Sequence, residues 1–130
     1  MRIAFLVVAG ALTTVGIVPA RAAVTESQFP PQTVRDLIAI CGPALDDPLR
    51  TAAINFCQGY VQGAVIVEEA HASQRGGRKL FCLPDPRPPA GSELTRFVAW
   101  ANEQPSRLDQ GAVDGMFLYL AQKYPCGRSK

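Results

Sequence analysis

Residues 47–71 read DPLRTAAINFCQGYVQGAVIVEEAH, and the conformation of this stretch decides the fold. Its apolar residues do not alternate with polar ones and no turn signals bound its Val61 to Val67 run, which argues against a strand. Asp47 is expected to cap free amide groups and Pro48 to occupy the first helical position, where the N–H that proline lacks would be unpaired anyway. Leu49, Ala53, Phe56, Tyr60, Ala64, Val67 and His71 then recur at intervals of three and four, and Ile54, Val61 and Val65 widen the stripe. A stripe broader than a half-exposed helix needs predicts a long, central helix. Gly59 and Gly63 lie one turn apart on it, and Gly111 and Gly115 repeat the spacing near the C-terminus. A glycine costs about 1 kcal/mol in a helix relative to alanine, so each pair marks either close helix packing or a tolerated weakness.

Working outward, Thr33 with Asp36 three residues on forms a capping-box pattern that opens a short helix, with Val34, Leu37, Ile38 and Cys41 on one face. Gly42-Pro43 ends it. Beyond the long helix, periodicity vanishes from Gln74 to Gly91: Arg75-Gly76-Gly77-Arg78-Lys79 is basic and flexible, and Pro84, Pro86, Pro88 and Pro89 forbid a regular helix. Ser92 is expected to cap a third helix with Leu94, Phe97, Val98 and Ala101 inward and Trp100 flanking. A fourth, from about Asp109, should turn Val113, Met116, Phe117, Leu120 and Tyr124 inward before Pro125 and Cys126 end it. The prediction is an all-α fold, a small bundle of four to five helices.

Among 130 residues, 48% are hydrophobic and 13 bases face 11 acids, which suits one small globular domain. The first 22 are read separately. Met1-Arg2 is basic, Ile3 to Val18 is almost wholly apolar, and Ala20-Arg21-Ala22 is a small-x-small cleavage pattern, so residues 1–22 are expected to be a removable signal peptide. The apolar run falls short of the roughly 20 residues a membrane-spanning helix needs. Cleavage removes two bases, Arg2 and Arg21, and leaves eleven bases against eleven acids in a single domain over residues 23–130. A balanced charge lacks the basic stripe that nucleic-acid binding requires, and no later segment suits a membrane span.

Export changes the meaning of Cys41, Cys57, Cys82 and Cys126, because thiols pair in oxidising compartments. Two disulfides are expected to staple the bundle. Four cysteines allow three pairings, and sequence leaves the choice open; loop geometry inclines towards Cys41 with Cys57 and Cys82 with Cys126. Zinc is disfavoured because the gaps of 16, 25 and 44 residues contain no close pair.

Catalytic patterns are missing: no G-x-S-x-G elbow, H-E-x-x-H or phosphate-binding loop occurs. His71 is the lone histidine, and at helical spacing Glu68 can touch it, but such a pair is usually a surface pair. Asp46 and Asp47 are adjacent, point apart, and read as helix capping. No catalytic residue, metal or cofactor is expected.

Phe56-Cys57-x-Gly59-Tyr60-Val61-x-Gly63, then Phe81-Cys82-Leu83-Pro84, then Pro105, and finally Tyr124-Pro125-Cys126 form an ordered set of blocks. Together they resemble the Rap/Tai family of type VI secretion immunity proteins over residues 33–126. The resemblance implies a helical periplasmic protein, often a homodimer, that binds a peptidoglycan amidase effector, occludes its active site and is not itself an enzyme. It further implies disulfide roles for Cys57, Cys82 and Cys126, close packing at Gly59 and Gly63, and a core position for Tyr60. The shared pattern does not include effector contacts, so the basic loop supplies the candidates by its length and charge: Arg75, Arg78 and Lys79. The rival expectation is a periplasmic acid-stress chaperone that loosens as its carboxylates protonate, or another small periplasmic binding protein without catalysis.

Overall fold

A computed structural model describes residues 22–127, so all but the last residue of the expected signal peptide lies outside the described residues. Four helices follow in order: α1 (Val34–Cys41), α2 (Arg50–Gln74), α3 (Ala90–Asn102) and α4 (Ala112–Lys123). Short 3-10 turns at Glu26–Gln28 and Pro105–Arg107 complete an all-α bundle, and no strand occurs among the described residues.

The capping box of α1 forms as its residue types require. Thr33 Oγ1 accepts the Asp36 amide at 3.2 Å, and the Asp36 carboxylate accepts the Thr33 amide at 3.0 Å. Two further amides at this end find carbonyls outside the helix: Val34 N–H donates to Gln110 O and Arg35 N–H to Leu108 O, each at 2.9 Å. With Ala112 N–H donating to Gln32 O at 3.0 Å, these bonds tie the start of α1 to the start of α4.

The short α1, not the long α2, is the hub. It contacts all three other helices, and Val34, Leu37 and Ile40 are fully buried. Its inward face thus includes Ile40, while Ile38 and Cys41 are half-buried at the sides. Helix α2 also faces inward differently from expectation. Ala53, Cys57, Val65, Glu68 and Ala72 are buried, Tyr60, Val61 and Ala64 pack at the rim, and Phe56, Val67 and His71 are exposed. The cause is covalent: Cys57 bonds to Cys41, which sets the rotation of a helix that is apolar on most sides. Residues one position away sit about 100° round the axis, so fixing Cys57 inward turns Phe56 out.

The helix starts also differ from the sequence reading. Asp47 does not cap α2, which begins at Arg50 without a side-chain cap. Its buried carboxylate instead accepts the Leu49 amide at 2.8 Å and the Val24 amide at 2.7 Å, fastening the N-terminal segment to the α1–α2 turn. Ser92 lies inside the first turn of α3 and donates to Pro89 O at 2.8 Å. Its four expected inward residues, Leu94, Phe97, Val98 and Ala101, are all buried. Asp109 precedes α4 and pairs with Arg35 at 2.9 Å. The inward residues of α4 are Ala112, Gly115, Met116, Tyr119 and Leu120, while Val113, Phe117 and Tyr124 are only half-buried.

The two glycine pairs separate. A Cβ on Gly115 would lie 2.2 Å from Val34 Cγ2, so the Val34 side chain of α1 packs directly on the α4 backbone there; at Gly111 it would meet only the Asp114 side chain. Nothing lies within 4 Å of a Cβ built on Gly59 or Gly63, so no neighbour within the chain packs closely against either. Their helix penalty is not repaid within the chain. Gly59→Ala and Gly63→Ala should therefore each stabilise the monomer by up to about 1 kcal/mol, measured by urea denaturation at low protein concentration. A loss of stability in either variant contradicts this reading.

Both disulfides are present, Cys41–Cys57 and Cys82–Cys126. The second joins the α2–α3 connection to the segment after α4, next to a Cys82 N–H donating to Tyr124 O at 2.8 Å. Phe81 is buried beside it and packs on Phe117 with ring centroids 5.5 Å apart.

Candidate partner-binding site

The C-terminus of α2 is built to reverse the chain. Gly76 and Gly77 have φ of +70° and +81°, a left-handed conformation that side chains disfavour, and Gly77 N–H donates back to Ala72 O at 2.9 Å. The returning segment is held by Glu68, whose side chain is 6% exposed. Its Oε1 accepts the Arg75 guanidinium at 2.6 Å and the Leu80 amide at 3.3 Å. Arg75 also donates to Arg78 O at 3.4 Å. Farther along, Arg87 grips both oxygens of Glu69 at 2.7 and 2.9 Å. The basic stretch is thus pinned at its start by Glu68 and at its end by Phe81 and the Cys82–Cys126 bridge.

The three candidate contact residues therefore differ in their surroundings. Arg75 pairs with Glu68 while its side chain stays 41% exposed. Arg78 and Lys79 are exposed and make no ion pair among the described residues. Leu80, which sequence reading passed over, is 52% exposed between Lys79 and the buried Phe81. Glu68 pairs with Arg75 and not with His71, which helical spacing also puts within its reach. A leucine at the end of a basic run was the available signal, but nothing in the sequence separates it from its neighbour Phe81.

A second cluster joins α3 to α4. Tyr119 Oη–H donates to Glu93 at 3.2 Å, Glu93 pairs with Arg96, and Trp100 Nε1–H donates to Gln122 at 3.1 Å. Burial by itself raises the Glu93 pKa, but the bonds from Arg96, Tyr124 and Tyr119 and the Lys123 charge outweigh it, so the carboxyl is held below 4.5. A depressed folded pKa stabilises the fold above the unfolded value and loses that contribution as pH falls through the folded one. The Glu93→Gln chain should accordingly show a flatter fall in Tm between pH 5 and 3 than the unsubstituted chain; parallel curves would contradict it. Tyr119 shifts the other way, raised first by burial and then by the Glu93 charge, so its contribution is lost only as pH climbs beyond about 10. These groups brace two helices. Among the described residues no group of three or more His, Cys, Asp or Glu side chains is placed to hold a metal ion.

Comparison with known proteins gives a family. Residues 33–126 match the model of the Rap1a immunity proteins, covering 94 of 130 residues. The chain belongs to the Rap1a immunity protein family. No curated protein and no solved structure matches it. The matched span begins at Thr33, the cap of α1, and ends at Cys126, the last disulfide partner, so the Rap1a-family region contains all four helices and both bridges.

Within that region the motif residues take distinct places. Phe56 is 38% exposed, stacks on Tyr60 at 6.2 Å and meets Phe29 edge-on at 5.1 Å. Tyr60 packs against the core from the rim, so its expected core position is corrected to a half-buried one. Phe81 is buried, Pro84 lies exposed beyond Cys82, and Pro105 opens the second 3-10 turn. Tyr124 ends α4 beneath Lys123, whose Nζ lies 5.8 Å from its ring centre, and Pro125 leads into Cys126. No described helix is long and apolar enough to cross a membrane.

Proposed function

We propose that this Rap1a-family protein is a periplasmic inhibitor without catalytic activity, exported by residues 1–22, which neutralises a type VI secretion peptidoglycan amidase by binding over its active-site cleft. Family membership carries the immunity role. The pinned basic loop supports the mode, because a partner meeting Arg78, Lys79 and Leu80 finds a surface that is already ordered. Burying about 1,200–2,000 Å² in total is usual for a stable complex, so neighbouring surface must contribute as well.

A homodimer, the other assembly the family resemblance implies, has a suitable surface on the outer side of α2. Ala52, Phe56, Gly59, Gly63, Ile66 and Val67 are exposed there and uncharged. An antiparallel twofold pairing would set Gly59 against Gly63 and Phe56 near Val67, small against small and large against large. Sedimentation of the native chain would show a doubled mass, and a monomer at all concentrations would reject the pairing.

The experiment for the inhibitory reading incubates the oxidised chain, residues 23–130, with amidase effectors encoded in the same genome and follows binding and residual peptidoglycan cleavage. Nanomolar binding with loss of cleavage is expected. Arg78→Glu with Lys79→Glu should weaken that binding at least tenfold, mainly through slower association. Unchanged affinity in the double variant removes the loop from the interface, and no binding to any amidase removes the inhibitory reading.

A further inference from the structure

A buried carboxylate is costly unless its partners compensate, and helix α2 has no need of one at position 68. Its neighbours on the buried face are the apolar Val65 and Ala72. What Glu68 holds is the returning chain: the Arg75 guanidinium at 2.6 Å and the Leu80 amide at 3.3 Å. The bond from Arg75 to Arg78 O closes a small network around Gly76 and Gly77, the two residues free to adopt the reversal. Arg78, Lys79 and Leu80 are left on its outer side. The adjacent Glu69 does not neutralise them, because Arg87 engages both its oxygens.

Lysine, arginine and mobile loops lose much conformational freedom when they bind, and fixing the loop beforehand removes part of that cost. We infer that Glu68 is a positioning residue for partner recognition. It preforms the segment Arg75–Leu80 so that Arg78 and Lys79 meet carboxylates on the partner while Leu80 enters an adjoining apolar recess. This inference rests on the proposed function in so far as the partner is the amidase, whereas the ordering of the loop is a property of the chain alone. The partner surface it requires is acidic, and binding should weaken as salt rises.

Two measurements on the full oxidised chain and its Glu68→Ala and Glu68→Gln variants test this. Hydrogen exchange at the Leu80 amide should quicken at least tenfold in Glu68→Ala and less in Glu68→Gln, which keeps an acceptor oxygen. Exchange at the α1 amides should stay unchanged, which distinguishes a freed loop from a loosened fold. Affinity for an amidase inhibited by the unsubstituted chain should fall at least fivefold in Glu68→Ala, with partial rescue in Glu68→Gln. Equal Leu80 exchange in all three chains overturns the inference, and so does a freed loop with unchanged affinity. Failure of the unsubstituted chain to bind any amidase instead overturns the functional reading, and the exchange experiment, which uses no partner, tells the two failures apart.

Discussion

Gly115→Ala should lower the stability of the fold by about 1–3 kcal/mol, although alanine is by itself the better helix former by about 1 kcal/mol. The added methyl would stand 2.2 Å from Val34 Cγ2 and 3.6 Å from Val34 Cβ. Val34 is fully buried and β-branched, so it has few rotamers with which to retreat. Nor can the helices part cheaply at this point, since the Val34, Arg35 and Ala112 amides bond across the junction at 2.9 to 3.0 Å. Urea denaturation of Gly115→Ala, Val34→Ala and the double variant separates the effects. The double variant should be more stable than the sum of the single losses predicts, because Val34→Ala vacates the space that the new methyl needs. Gly111→Ala is the control: its methyl would meet only the movable Asp114 side chain. If Gly115→Ala matches the native chain in stability, Val34 does not pack this closely on α4.

The second large effect concerns the disulfides. Replacing Cys41 and Cys57 together by alanine should cost about 3 kcal/mol from the loop of 16 residues that the bridge closes, together with the packing of the fully buried Cys57. Replacing Cys82 and Cys126 releases a longer loop, with a sequence separation of 44, and should cost a similar or somewhat larger amount through chain entropy. Either loss is a large share of the roughly 5–15 kcal/mol by which small domains are stable. The consequences differ in place. Cys41–Cys57 sets the rotation of α2 and so the composition of the core, whereas Cys82–Cys126 sits at the periphery, where Phe81 and the bond from Cys82 N–H to Tyr124 O still hold the chain. Denaturation midpoints within error of the oxidised native chain for both double variants would refute a stabilising role.

Much of the fold was legible because local chemistry and tertiary structure agree. Thr33 and Asp36 cap α1 wherever that helix packs, Gly42-Pro43 stops it, and the 3/4 spacing of Leu94, Phe97, Val98 and Ala101 fits a single face of α3. The candidate site was legible only as a basic, aperiodic loop. Arg75, Arg78 and Lys79 look alike in sequence; the partner that divides them is Glu68, seven residues before Arg75 on a helix whose rotation sequence did not reveal.

By itself, then, the sequence determined the all-α class, the helices and their approximate ends, because caps, prolines and glycine breaks act within a few residues of themselves. It also contained the motif order that marks the family. The tertiary structure alone decided which face of each helix is buried. Helices α2 and α4 are apolar on too many sides for periodicity to choose, so the rotation is set by single long-range constraints: the Cys41–Cys57 bond for α2 and the contact of Gly115 with Val34 for α4. The same long-range packing made the short α1 the hub and turned Glu68 inward towards the loop that it holds.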